Sequence, residues 1–160
     1  MQYATVLKKL LNMNMYKIIV KIKYEYAHRL LHHTGKCRHV HGHSGEAIIE
    51  LASNTLNDNG FVMDFADVKT PLKKWINQFW DHAYLANESD PLLPAFKSEN
   101  MNIYTFPEEP TAEVMARHLF EQAAILDRPP GVILTRVTIR ETCTGQASYQ
   151  PKELEIAYEI

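Results

Sequence analysis

The segment Tyr16–His28, YKIIVKIKYEYAH, alternates apolar and mostly polar residues along its whole length. The apolar series is Tyr16, Ile18, Val20, Ile22, Tyr24 and Tyr26. Because successive side chains of a β-strand point to opposite faces, this alternation predicts a long strand with one buried face. His28 continues the same phase, so we expect its imidazole to point toward the buried side.

Other elements follow from the same analysis of periodicity. A second strand is predicted over about residues 41–52, where Ala47, Ile49 and Leu51 share one face. One helix is predicted over about residues 67–79, with Pro71 in its first turn, and a second helix begins after Thr111 as its N-cap. Two final strands are predicted over about residues 132–143 and 152–160.

Pairs of strands and pairs of helices are separated along the chain, which predicts an α+β fold. We expect a four-stranded antiparallel sheet with two helices on one face, in the order ββααββ. Such a sheet has two free edges, and pairing with a neighbouring subunit is one way to protect them. The pattern therefore predicts a homo-oligomer.

Length and composition indicate one ordinary globular domain. The chain has 160 residues, of which 46% are hydrophobic and 22% charged, with a formal net charge of -2. We predict an N-terminal extension over residues 1–14 and a single domain over 15–160. The charge argues against a broad nucleic-acid surface, and no apolar run is long enough for a membrane span. Two cysteines, Cys37 and Cys143, cannot form a disulfide framework, which favours a cytoplasmic protein.

Six of the eight histidines fall between His28 and His43. Residues i and i+2 of a strand point the same way, so His41 and His43 can meet one cation, and His28 reaches it from the preceding strand. Three neutral imidazoles leave one tetrahedral position open, which is typical of catalytic zinc. The ligands alone leave copper, nickel or iron as alternatives.

Cys37 lies four residues before His41, on the predicted loop that leads into this site. A thiol beside a divalent cation and imidazoles ionises more readily and can act as a base or nucleophile. The alternatives are a fourth metal ligand, which would close the site, and an inert small residue.

Two carboxylates are further candidates. Asp81 directly precedes His82, so it could fix the tautomer of that imidazole, or it could only cap the end of the helix. Glu141 shares the predicted phase of the apolar residues of its strand and could accept paired hydrogen bonds from an amino-nitrogen edge. Its alternative is a salt bridge to Arg136 or Arg140.

The chain resembles the family of 6-pyruvoyltetrahydropterin and 6-carboxytetrahydropterin synthases over about residues 16–150. The motifs that carry the resemblance occur in the family's order: Tyr26-Ala27-His28, the C-x-x-x-H-G-H string Cys37–His43, Val62–Phe65 with Lys69, Asp81-His82, Pro110–Glu113 and Glu141-Thr142. The resemblance implies the tunnelling fold, in which sheets of several subunits form a barrel with active sites at subunit interfaces, here a homohexamer built as a dimer of trimers.

The resemblance also implies residue roles. Zinc would be bound by His28, His41 and His43. Cys37 would abstract a proton, with Asp81 and His82 as relay partners, and Glu141 would anchor the pterin ring in the catalytic site with Thr111 nearby.

The implied substrate is 7,8-dihydroneopterin triphosphate. The short spacing between Cys37 and His41 resembles the branch that makes 6-carboxy-5,6,7,8-tetrahydropterin, releasing acetaldehyde and triphosphate, in queuosine biosynthesis. One alternative is a 6-pyruvoyltetrahydropterin synthase, and another is a non-catalytic protein that binds zinc or pterin. The chain departs from the family pattern at Tyr26, at Ser44–Glu46 and at Ala86, positions that bear on the shape of the pocket.

Overall fold

The computed structural model describes residues 15–152. Two predicted segments lie outside this range: the N-terminal extension over residues 1–14, and all but the first residue of the strand over residues 152–160. The described elements are β1 (Tyr16–His28), β2 (His41–Ser53), α1 (Phe65–Phe79), β3 (Ala83–Asn87), α2 (Leu93–Ser98), β4 (Ile103–Phe106), α3 (Ala112–Ala124), β5 (Ile133–Arg140) and β6 (Gln146–Tyr149).

The strands form one six-stranded sheet in the order β4-β3-β1-β2-β5-β6. Neighbouring strands on the β2 side are antiparallel, whereas β1–β3 and β3–β4 are parallel pairs. The α+β class is confirmed, but the prediction of four antiparallel strands in the order ββααββ is wrong. The strands that the prediction missed, β3, β4 and β6, have only five, four and four residues, too few for an alternation to stand out.

The main core lies between β1, β2, β5 and one layer of two helices. Alternate residues of β1 are buried as predicted, and they pack against the apolar faces of α1 and α3. Helix α1 begins two residues earlier than predicted because the carboxylate of Asp64 accepts a hydrogen bond of 2.7 Å from the N–H of Ala66. Pro71 therefore lies in the second turn of α1.

Strand β3 is buried on both faces. Ala83 and Leu85 contribute to the main core, whereas Tyr84 and Ala86 pack with Leu93 of α2 in a second, smaller core on the other face. A strand covered on both sides carries a continuous apolar run without alternation. Helix α2 thus covers the face opposite to α1 and α3.

The sequence predicts that Ile133 shares a face with Val137, Ile139 and Glu141, but this alternation fails at the start of β5. The register with β2 shifts between Glu50 and Leu51, so Leu134 faces the core whereas Ile133 is 40% exposed. A bulge of this kind reverses the faces of the residues beyond it. The C-terminal half of β5, with Val137 and Ile139 buried, keeps the predicted phase and leads to Glu141.

Gly45 is required by the packing of two tyrosines. A Cβ at this position would lie 2.9 Å from Cζ of Tyr24 and 3.0 Å from Cε1 of Tyr26, and both rings are buried. Because both rings are packed in the main core, we expect Gly45→Ala to lower the free energy of unfolding by about 1–3 kcal/mol. Urea unfolding measures this loss. Gly60→Ala is unsuitable as a control, because Gly60 has a positive φ and an alanine there would be strained whatever its packing. A variant as stable as the parent would contradict this packing argument.

No helix within residues 15–152 has both the length and the apolar character that crossing a membrane requires.

Candidate metal centre and active site

Three histidines converge where β1 ends and β2 begins. The antiparallel register pairs His28 with His41, and His43 follows two residues later on the same side of β2. One ligand atom of each imidazole lies within 4.8 Å of the others. The structure therefore brings together the three residues that the strand periodicity selected.

Backbone carbonyls fix the orientation of two of these rings. Nδ1–H of His28 donates to the carbonyl oxygen of Pro110 at 2.9 Å, and Nδ1–H of His41 donates to that of His39 at 2.7 Å. These bonds leave the Nε2 lone pair of each ring available for a cation. Nε2 of His43 is buried and has no hydrogen-bond partner among the described residues. A buried nitrogen without a partner is costly, and a bound metal ion would satisfy it; the donor set thus fits a metal.

Burial keeps the imidazoles of His28 and His43 neutral. It lowers the pKa of His28 to about 4, outweighing the hydrogen bond to Pro110 and the charge of Glu141, which both raise this pKa. Burial also lowers the pKa of His43, against the opposing effect of Glu141. Neutral imidazole is the form that binds metal, so these two side chains do not need to lose protons before binding at neutral pH.

Glu141 lies against this cluster. Its Oε1 is 3.3 Å from Nε2 of His28 and 3.7 Å from Nε2 of His43, and it accepts a hydrogen bond of 3.0 Å from the hydroxyl of Tyr26. The alternative of a salt bridge to a neighbouring arginine is wrong. The partners of those arginines are the carboxylates of Glu46 and Glu50 on β2. No arginine therefore neutralises the Glu141 carboxylate within residues 15–152, and it lies where it can meet a cation or a substrate at the histidine cluster.

Cys37 lies on the loop that joins His28 to His41, within a short 3-10 helix over Lys36–Arg38. Its side chain is half-buried, and its carbonyl oxygen accepts a hydrogen bond of 2.8 Å from the N–H of Leu30. Within residues 15–152, its sulfur is not a member of the group of ligand atoms that the three histidines form. This arrangement does not support Cys37 as the fourth metal ligand.

Asp81 and His82 form a hydrogen-bonded pair outside the histidine cluster. Nδ1–H of His82 donates to Oδ2 of Asp81 at 2.9 Å, while Oδ1 of Asp81 accepts from the N–H of Glu25 at 2.8 Å. Burial raises the pKa of Asp81, but these two hydrogen bonds, together with the nearby positive charge of Lys73, outweigh it and the pKa is lowered. The side chain of His82 is 76% exposed. The pair thus holds its tautomer. The side chain of Asp81 binds the edge of β1, while its backbone N–H caps the end of α1 by donating to the carbonyl oxygen of Ile76 at 2.8 Å.

Thr111 is the N-cap of α3, as predicted. Its hydroxyl accepts a hydrogen bond of 3.3 Å from the N–H of Val114. The residue before it, Pro110, supplies the carbonyl oxygen that binds His28. The start of α3 is therefore attached directly to the histidine cluster.

The family model described as 6-pyruvoyl tetrahydropterin synthase matches residues 17–152. The chain belongs to this family. A relative from Synechocystis sp., named 6-carboxy-5,6,7,8-tetrahydropterin synthase, is 36% identical over 142 residues, which cover 84% of this chain and 93% of the relative. The predicted resemblance is confirmed, and family membership identifies the protein as a lyase.

Solved structures confirm the tunnelling fold of the family. An uncharacterized protein from Wolinella succinogenes superposes with a TM-score of 0.76 at 24% identity, covering 87% of this chain and 99% of that one. The 6-pyruvoyl tetrahydropterin synthase of Caenorhabditis elegans gives a TM-score of 0.65 at 24% identity, covering 88% and 98% of the two chains.

Sequence reasoning missed a buried ion pair next to the family's histidine motif. Arg29, which follows His28, forms a two-pronged salt bridge with Asp90, whose side chain is 1% exposed. The hydroxyl of Tyr84 and the N–H of Leu92 also donate to this carboxylate, each at 2.8 Å. No local pattern marks such a pair, because its members are 61 positions apart in the chain.

Asp90→Ala is expected to lower the free energy of unfolding by about 3–5 kcal/mol, because it leaves the Arg29 guanidinium without its buried partner. Chemical denaturation measures the change. The control is Glu108→Ala, which removes a salt bridge to Arg117 at the surface and should cost less than about 1 kcal/mol. Equal losses in the two variants would show that the buried pair stabilises the fold no more than the surface pair does.

Proposed function

We propose that this protein is a zinc-dependent lyase that converts 7,8-dihydroneopterin triphosphate into 6-carboxy-5,6,7,8-tetrahydropterin, with release of acetaldehyde and triphosphate, in queuosine biosynthesis. The observation that carries the proposal is the convergence of His28, His41 and His43 with the carboxylate of Glu141 beside them. The name of the Synechocystis relative supports the same product. The two free cysteines favour a cytoplasmic setting.

Zinc is the metal that suits three imidazoles with an open position, and it would supply a Lewis acid that polarises an oxygen of the substrate side chain. The protein's own side chains bind the substrate and transfer protons. The carboxylate of Glu141 accepts hydrogen bonds from the amino-nitrogen edge of the pterin ring, and Thr111 lies at the adjacent start of α3. Cys37 moves a proton at a side-chain carbon of the substrate. Asp81 holds His82 in the tautomer that passes this proton on.

A second copy of the chain completes the site in this proposal. The pair Asp81–His82 is bound to Glu25 and is not part of the histidine cluster, yet the imidazole of His82 is exposed and able to reach a neighbour. Within residues 15–152, β3 covers only the segment Tyr26–His28 of this edge of β1, so the rest of the edge has no strand beside it. We propose a homohexamer, a dimer of trimers with interfacial active sites, in which such edges are covered.

The second candidate is a 6-pyruvoyltetrahydropterin synthase, which the description of the matching family model favours. It would use the same substrate and the same residues but release only triphosphate. The two activities differ in whether the carbon side chain of the pterin is cleaved, and acetaldehyde is formed by the first alone.

The deciding experiment incubates zinc-loaded protein with 7,8-dihydroneopterin triphosphate and analyses the products by mass spectrometry. We expect 6-carboxy-5,6,7,8-tetrahydropterin together with acetaldehyde. A pyruvoyl product without acetaldehyde would establish the second candidate. Zinc and pterin binding without any turnover would instead identify a non-catalytic protein and reject both lyase assignments.

A further inference from the structure

The loop that carries Cys37 is closed by its own backbone. It leaves β1 after His28 and returns to β2 at His41. Within it, the N–H of Leu30 donates to the carbonyl oxygen of Cys37 at 2.8 Å, and the N–H of His33 donates to that of Leu30 at 3.0 Å. The hydrogen bond between Leu30 and Cys37 joins the two sides of the loop. A contact that fixes the segment around Leu30 therefore also fixes the position of Cys37.

One carboxylate outside the loop holds this segment. Oε2 of Glu109 accepts a hydrogen bond of 2.7 Å from the N–H of Leu31, and Oε1 lies 2.5 Å from Nδ1 of His32. The side chain of Glu109 is only 23% exposed. Glu109 is the acidic residue that the structure joins to both of these neighbouring loop positions.

The same short segment also holds the metal cluster. Pro110, the next residue, supplies the carbonyl oxygen that accepts from Nδ1–H of His28. The segment is itself braced, because the carbonyl oxygen of Glu109 accepts a hydrogen bond of 2.7 Å from the N–H of Thr111, the cap of α3. Glu109 and Pro110 thus attach the loop and the first metal ligand to one rigid helix start.

We infer that Glu109 is a positioning residue, which fixes the Cys37 loop relative to the histidine cluster through its bonds to Leu31 and His32. This inference rests on the proposed function only in assigning the chemistry to Cys37. What Glu109 supplies is the reach of its side chain rather than its charge. Glutamine, which keeps the length and an acceptor oxygen, should replace it, whereas aspartate, which keeps the charge but is one methylene shorter, should not.

The test measures the rate at which iodoacetamide alkylates Cys37 in the zinc-loaded protein. The parent carries Cys143→Ser, so that Cys37 is its one remaining thiol. We expect E109A and E109D to raise the rate about tenfold, because loss of the hydrogen bonds to Leu31 and His32 shifts a local opening equilibrium by about that factor. E109Q should stay within about twofold of the parent, as should E108A, which removes the neighbouring carboxylate from the surface.

Turnover supplies a second readout. In E109D, kcat should fall about tenfold or more with little change in KM, because a displaced thiol affects the reaction more than substrate binding. If E109A does not fold, the comparison of E109D with E109Q decides. An unchanged alkylation rate in E109D, or an equal increase in E109Q, overturns the inference. Alkylation needs no substrate, so a parent that does not turn over the pterin rejects the proposed function and leaves this test intact.

Discussion

Replacement of His41 by alanine is expected to abolish metal binding and to lower kcat/KM by at least about 10³-fold, since a catalytic metal contributes several kcal/mol to the transition state. The physical reason is geometric. His41 is one of only three imidazoles in the cluster, and its ring is already oriented by the carbonyl oxygen of His39. Elemental analysis of the purified protein gives the metal content per chain.

His39→Ala is the matched control for this variant. It removes an exposed imidazole two residues away and retains the carbonyl oxygen that orients His41. We expect its metal content and activity to equal those of the parent. Full metal occupancy in the His41 variant would falsify the assignment of the ligands.

Cys37→Ala is expected to keep the metal and to lower kcat by about 10²–10⁴-fold, the range in which a positioned proton-transfer group contributes. The thiol sulfur is not a member of the ligand group, so its loss should leave zinc content unchanged. Product formation measured with excess 7,8-dihydroneopterin triphosphate gives kcat directly.

The second cysteine provides the comparison. Cys143 is exposed, whereas Cys37 is half-buried. Cys143→Ala should therefore behave as the parent does. Equal activity in the two alanine variants would remove the thiol from the mechanism, and loss of zinc in Cys37→Ala alone would show that the sulfur binds the metal after all.

The histidine cluster could be predicted from sequence because the direction of each of its side chains follows from strand periodicity. His28, His41 and His43 lie on two long neighbouring strands, where a period of two fixes the direction of each side chain. The same reasoning placed the buried face of β1. It failed for β3, which is buried on both faces and shows no alternation, and for the first half of β5, where a bulge reverses the faces.

The surroundings of the centre could not be predicted, because they depend on contacts between distant parts of the chain. The bond from His28 to Pro110 joins positions 82 apart and uses a backbone carbonyl, which any residue could supply. Glu141 was predicted on the correct side of its strand, but its proximity to His28 and Tyr26 depends on how β5 aligns with β2. A local motif contains neither the long-range contact of a backbone carbonyl nor the alignment of two strands.

The pairing of β1 with β2 has a consequence for how the protein reaches its native state. All thirteen residues of β1 have partners in β2, and His28 meets His41 at the last pair. A hairpin misaligned by one position would turn His41 and His43 to the opposite side and leave His28 without companions. An alignment shifted in this way would not hold the ion, so metal uptake during folding would draw the population away from it and toward the native one.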